Sequence, residues 1–195
     1  MEDDKNSLIE FTKKFDFNKH QTLESDFYPN TIHHIFGRNA LSLLELCCYH
    51  GSINCFNFLT TELKLEITQG CVSYSFLSGN KEIIDKCLAE KDPNFVTMEY
   101  AVISRNIDYV NLLMDEHDLF PDYEGAAYYN NLQAFIIGLK KCRYINDYFF
   151  HSLYFGFEPV YEIILSLGAN INAVKIKNNV PLIHWCAIYN NVEFA

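Results

Sequence analysis

An all-α fold is the prediction for this chain, and three observations carry it. One short pattern recurs six times, as Cys47-Cys48-Tyr49-His50-Gly51, Ser75-Phe76-Leu77-Ser78-Gly79, Ala101-Val102-Ile103-Ser104-Arg105, Ala126-Ala127-Tyr128-Tyr129-Asn130, Ser152-Leu153-Tyr154-Phe155-Gly156 and Cys186-Ala187-Ile188-Tyr189-Asn190. After each marker residue comes a second segment with apolar positions at helical spacing. Strand alternation is weak throughout, with only 8 Gly and 5 Pro in 195 residues. Self-similarity at a nearly fixed period says how the whole chain is built. The expected architecture is an α-solenoid of stacked helix-turn-helix units.

Residues 1–40 stand outside the pattern. Leu8, Ile9, Phe11, Phe15 and Phe17 suggest a short amphipathic helix. A polar stretch runs on through Pro29-Asn30, and Thr31 is placed to cap a helix carrying Ile32, Ile35 and Phe36. This region is read as a helical cap over the apolar face of the first unit. Residues 41–195 are read as about six units, the last one truncated.

The markers fall at positions 51, 79, 105, 130, 156 and 190, at intervals of 28, 26, 25, 26 and 34. Each interval accommodates two helices of roughly 8–11 residues and two tight connections. Ile83, Ile84, Cys87 and Leu88 share one helical face after Gly79, and 108–114 and 159–165 repeat the design. One helix pair cannot bury such a stripe alone, so neighbouring pairs must stack.

Composition narrows the function classes. The chain is 49% hydrophobic and rich in aromatics, with 13 Tyr, 16 Phe and one Trp. Its formal charge of −10 argues against a nucleic-acid surface, which needs clustered Lys and Arg. The one short basic cluster, Lys140-Lys141-Cys142-Arg143, suits a helix end. The acidic N-terminus lacks the apolar run of a signal peptide, and no stretch reaches the ~18–20 apolar residues of a membrane span. Seven irregularly spaced Cys favour free thiols in a reducing compartment, the cytoplasm or the nucleus.

The last stretch, Gly156 to Ala195, resembles an ankyrin repeat. Pro159 to Asn172 looks like the second helix and the Gly-Ala-Asp-x-Asn ending of such a unit, with Gly168 as the left-handed helix stop and Asn170 and Asn172 stabilising the turn. Pro181-Leu182-Ile183-His184-Trp185-Cys186-Ala187 resembles the Thr-Pro-Leu-His-x-Ala-Ala opening, although the proline sits one place early and the capping Thr is missing. The earlier, shorter intervals resemble the finger-poor ankyrin-like units of protist families. The resemblance implies at most one β-hairpin finger, near 170–181, and a structural backbone hydrogen bond for His184. It also implies that the chain stops as a second helix begins, at the front of a longer array.

Chemical readings of the reactive residues compete with packing. Cys47, Cys48, His50 and Cys55 invite a zinc site, but Cys47 and Cys48 occupy small-residue positions where a free Cys serves as a small hydrophobe. His33 and His34 point about 100° apart on a helix, so one site does not use both, and His20 lies well upstream. Asp115-Glu116-His117-Asp118 follows a helix end without a companion nucleophile, and Cys71 and Cys142 lack a His/Asp arrangement. No phosphate loop or metalloprotease motif occurs. The expectation is a protein without catalysis, cofactor or metal.

The pair before each marker is the candidate site. In ankyrin architecture these positions line the concave partner surface, which here implies Tyr49 and His50, Tyr128 and Tyr129, Tyr154 and Phe155, and Tyr189. The intervening pairs are Leu77-Ser78 and Ile103-Ser104. Lys175, Lys177 and Asn178, with Val174, would act from the finger. Internal packing of the same rings is the competing reading. The expected function is a monomeric protein–protein interaction scaffold, with neither nucleic acid nor membrane as partner. The alternative is an adaptor or regulatory segment of a larger enzyme, such as a ligase subunit or kinase.

Overall fold

A computed structural model describes residues 3–25, 28, 40–175 and 180–188. Among the described residues are twelve α-helices and four short strands. The expected helix at Thr31, with His33, His34 and Phe36, lies outside the described residues, as do Lys177, Asn178 and Tyr189. The chain forms two compact units, Met1–Leu119 and Phe120–Ala195.

The first unit opens with α1 (Lys5–Thr12), capped by the Asp4 carboxylate, which accepts from Ser7 N at 3.0 Å. The helix ends before Phe15, which is fully exposed, so the predicted apolar face is shorter than expected. Phe17 instead packs edge-on against Phe11, with ring centroids 5.7 Å apart. Strands β1 (Thr22–Glu24) and β2 (Ala40–Ser42) pair antiparallel, Leu23 opposite Leu41. This pair corrects the expectation of at most one hairpin. Three residues per strand are too few to show alternation, and their partners lie far apart in sequence.

Three helix pairs follow: α2 (Leu43–His50) with α3 (Ile53–Thr61), α4 (Gln69–Ser78) with α5 (Lys81–Glu90), and α6 (Phe95–Ser104) with α7 (Ile107–His117). Helix α4 packs against α2 on one side and α6 on the other. Polar N-caps start most of these helices. Ser42 and Glu45 form a capping box on α2, Thr68 caps α4, Asn80 caps α5, Asn94 caps α6 and Asn106 caps α7.

Ser52, before α3, makes no such bond. Asp3 substitutes for it across the chain. Its carboxylate accepts from Asn54 N at 2.9 Å, Asn54 Nδ2 at 2.8 Å and Cys55 N at 3.0 Å. Leu8, Phe17 and Tyr28 pack against the same core as α2 and α4. The N-terminal stretch is therefore part of the first compact unit, Met1–Leu119.

The second unit contains α8 (Tyr123–Tyr128) and α9 (Leu132–Leu139), then α10 (Ile145–Ser152), extended by one 3-10 turn over Leu153–Phe155, and α11 (Glu158–Ser166). Strands β3 (Val174–Lys175) and β4 (Val180–Pro181) pair antiparallel where the finger was expected, ahead of α12 (Leu182–Ile188). Gly168 takes φ +98°, and Asn172 N donates to Asn170 Oδ1 at 2.9 Å, as the turn reading required. Lys140 caps the end of α9, and Lys141 lies 4.6 Å over the Phe120 ring.

The recurrence in the sequence has a backbone counterpart. All five described markers adopt the left-handed conformation: Gly51 at φ +72°, Gly79 at +70°, Arg105 at +57°, Asn130 at +52° and Gly156 at +56°. Each turns the chain from one helix of a pair into the next. Burial follows the same register. The two residues four and three places before the marker are buried in every one of these five segments, from Cys47-Cys48 to Ser152-Leu153. Positions five and eight after the marker are buried in all five second helices, as Phe56 and Leu59, Ile84 and Cys87, Val110 and Leu113, Phe135 and Gly138, and Tyr161 and Ile164.

Small residues let the paired helices close up. Gly70 on α4 faces the Glu45 side chain so closely that any Cβ would collide with it. Glu45 in turn accepts from the Thr68 hydroxyl at 2.7 Å, joining the N-termini of α2 and α4.

Candidate partner-binding surface

The second-to-last position before each marker is apolar throughout: Tyr49, Leu77, Ile103, Tyr128, Tyr154 and Ile188. Exposure separates them into two groups. In the first unit Tyr49, Leu77 and Ile103 are half-buried and pack against the hydrophobic core. Tyr49 lies between Tyr28 and Tyr74, at 5.8 and 6.4 Å between ring centroids. Tyr74 then meets Tyr100 at 5.0 Å, so this tyrosine stack is internal packing.

The residues directly before the markers in this unit are structural too. Ser78 donates to Ser75 O at 3.0 Å and accepts from Asn80 N, and Ser104 does the same with Ala101 O at 2.8 Å and Asn106 N. These serines satisfy backbone groups at the helix end. His50 is the exposed member, edge-on to Tyr49 at 4.8 Å.

In the second unit the equivalent side chains face solvent. Tyr128 is 65% exposed and meets Tyr129 edge-on at 5.0 Å. Tyr154 is 45% exposed, its ring parallel to His151 with centroids 6.1 Å apart. Phe155 is half-buried and packs onto Phe135, with ring centroids 4.9 Å apart. Of the predicted surface residues in this unit, Tyr128 and Tyr154 are therefore the exposed rings, with Tyr129 half-buried beside them.

The sequence reading missed the support beneath Tyr154. His151 is buried, its Nδ1 2.8 Å from Asp147 O, and its ring lies 4.8 Å from Tyr123. Tyr123 also contacts Tyr148 at 5.2 Å. Burial raises the Tyr123 phenol pKa, and Asp147, Glu124 and Asp122 push it further up, so it stays neutral. A histidine five residues before the marker was the available signal, because that place holds Leu46, Tyr74, Tyr100, Gly125 and Trp185 in the other segments.

On the finger, Lys175 lies in β3 and its side chain is outside the described residues, along with Lys177 and Asn178. Val174 is 43% exposed. Beside it a cavity of about 430 Å³ is lined by Tyr144, Asp147, Phe150, Asn170 and Val174 among others. Asn170 N donates to Asn146 Oδ1 at 2.8 Å, fixing this turn to α10.

The cysteines sit where packing requires small residues. All seven are free, and Cys47, Cys48, Cys55, Cys71 and Cys87 are buried in the first unit. Burial drives the Cys48 thiol pKa far up, helped by hydrogen bonds with Cys71 and Cys87. Among the described residues no group of three His, Cys, Asp or Glu could hold a metal ion, and no helix is long and apolar enough to cross a membrane. Asp118 adopts φ +53° at the end of α7, and Leu119 N donates to Leu113 O at 3.1 Å. That acidic run is a helix terminus. His184 lies on the exposed side of α12.

No curated protein matches the chain. A family model described as a domain of unknown function, DUF3447, matches residues 63–138, the stretch that holds α4 to α9.

Proposed function

We propose that this chain is a protein–protein interaction scaffold of ankyrin-like helix pairs, binding partner proteins without catalysis or cofactor. The observation that carries this reading is the exposure of Tyr128 and Tyr154 at a register position that is half-buried in the first unit. Tyrosine offers large contact area at low entropic cost and is enriched at interfaces. The left-handed markers and the paired strands at 174–175 and 180–181 support the ankyrin-like assignment. The acidic composition and dispersed basic residues favour protein over nucleic acid as the partner class.

A photo-crosslinking residue placed at Tyr128 or Tyr154 should form discrete adducts with partner proteins in cells. The same probe at Ile103, which packs against the core, should form far fewer. Equal labelling from all three positions, or none from Tyr128 and Tyr154, would reject the surface.

A further inference from the structure

We infer that the segment 63–68, between α3 and α4, takes up an extended strand of a partner protein by antiparallel β-addition. The partner strand carries an apolar residue opposite Ile67 and a Lys or Arg opposite Glu66. Leu63, Leu65 and Ile67 are half-buried and pack against the core, while Lys64, Glu66 and Thr68 are exposed. Burial that alternates residue by residue marks an extended chain. Lys64 takes φ +53° and bends the chain, so the edge proper runs from Leu65 to Thr68. Leu65 N donates inward to Leu59 O at 3.1 Å. Successive N–H groups of an extended chain point to opposite sides, so the Glu66 N–H points away from Leu59. Among the described residues that N–H makes no hydrogen bond, and nothing donates to the carbonyls of residues 63–67. This is an open strand edge.

The first unit itself shows what such an edge accepts. Ser42 and Thr68 are equivalent N-caps, both in extended backbone at ψ 165° and 168°. Each side chain accepts from the N–H three residues on, at Glu45 and Cys71. Glu66-Ile67-Thr68 therefore precedes α4 as β2 precedes α2. Strand β2 is paired antiparallel with β1, Thr22 opposite Ser42 and Leu23 opposite Leu41. In the second unit β4, directly before α12, is paired in the same way with β3. The connections before α6 and α8 are blunted by Pro93 and Pro121, which lack the N–H. Before α4 the chain is extended and free of proline, with no strand beside it among the described residues.

Charge defines the occupant. An open cavity of about 490 Å³ lies along the edge, lined by Thr60, Lys64, Glu66, Glu90 and Lys91 among others. Among the described residues no ion pair joins its two carboxylates to its two ammonium groups. Charged side chains on an edge keep out indiscriminate strand pairing and leave a matched partner favoured. A strand with Lys or Arg opposite Glu66, and an acidic residue two places on beside Lys64, meets both signs. Residues 1–119 hold nineteen Asp or Glu against ten Lys or Arg, which draws in a basic partner. The edge lies in the first unit and does not rest on the Tyr128/Tyr154 surface, so failure of one is distinct from failure of the other.

Peptide titration with amide exchange, followed by NMR on the 195-residue protein, tests this. The probe is the peptide Gly-Thr-Leu-Lys-Val-Glu-Gly, and Gly-Thr-Leu-Glu-Val-Lys-Gly, of identical composition, is its control. The expected result is a Kd below about 1 mM for the probe and at least ~5-fold weaker binding of the control. Bound probe should slow exchange of the Glu66 amide, which docking through side chains alone would not do. Glu66→Lys, with far-UV circular dichroism unchanged, should abolish the preference between the two peptides, and Glu66→Gln should reduce it. Glu116→Lys, the same charge change at an exposed position of α7, should leave the preference intact. No binding up to about 2 mM, equal binding of the two peptides, or unchanged Glu66 exchange overturns the inference. So does slowed Glu66 exchange that appears on raising protein concentration without peptide, which would give the edge to a second copy.

Discussion

The side-chain amide of Asn80 donates to the backbone carbonyl of Gly51 at 3.0 Å, tying one left-handed marker to the start of the next second helix. Tyr109 repeats the device one segment later, its hydroxyl donating to Gly79 O at 3.0 Å. The partners are 29 and 30 residues apart. Carbonyls at a helix end lack intrahelical donors, and here the following segment supplies them.

Asn80 also accepts from Ile83 N at 3.3 Å as the N-cap of α5. Asn80→Ala should therefore destabilise the protein by about 1–3 kcal/mol, combining a lost cap with an unsatisfied carbonyl. Asn80→Asp keeps the cap and loses the amide donor, so urea titration should place it between Ala and wild type.

The markers give a graded set of substitutions. Ala at Gly51 or Gly156 must adopt a left-handed backbone, which costs about 1–2 kcal/mol. At Gly51 the new Cβ also lies 3.3 Å from Ser78 Cβ, whereas nothing lies within 4 Å at Gly156. Gly51→Ala should be the more destabilising of the two. Asn130→Gly relieves the same strain at φ +52° against greater unfolded-state entropy, and should fall within about 1 kcal/mol of wild type on the stabilising side.

Asp3 supplies a pH-dependent contribution. Partial burial acts to raise its pKa, but hydrogen bonds from Asn54 and Cys55 outweigh this and hold it below the ordinary 3.8. A depressed carboxylate stabilises the fold above its unfolded pKa, and the contribution fades as pH falls through the folded value. Asp3→Asn should thus lower the melting temperature at neutral pH. The gap from wild type should close as the pH drops from about 4 to about 2. A gap that stays constant would show that Asp3 does not act through its charge.

Thiol reactivity checks the cysteine assignment. Cys142 is half-buried, and the other six are buried. One thiol per chain should react with a disulfide reagent under native conditions, slowly because burial raises its pKa. All seven should react in denaturant. Rapid native labelling of several thiols would contradict the packing role of Cys47, Cys48, Cys55, Cys71 and Cys87.

Legibility in the sequence tracked locality. The markers could be read because a helix end followed by a left-handed residue leaves a local signature, even where Arg105 takes the place of glycine. The turn at Gly168, Asn170 and Asn172 was readable for the same reason, whereas the pairing of 174–175 with 180–181 was expected only through the ankyrin resemblance. Long-range devices left no such trace. Asp3 reaches Asn54 and Cys55 across about fifty residues, and β1 pairs with β2 through three residues each. The candidate surface was half legible. The recurring position before each marker could be read as an apolar stripe, but burial turns on what lies across it. Tyr28 and Tyr74 enclose Tyr49, while Tyr154 stacks on His151 and keeps an open face.

The central claim is that Tyr128 and Tyr154 bind partners while the helix-pair register holds the fold. Quantitative capture of a crosslinked partner by Tyr128→Ala/Tyr154→Ala, set beside its thermal melting curve, tests it most directly. The account predicts capture reduced at least ~10-fold, with stability within about 1 kcal/mol of wild type, since both rings are exposed. Undiminished capture, or loss of the folded state, would contradict it.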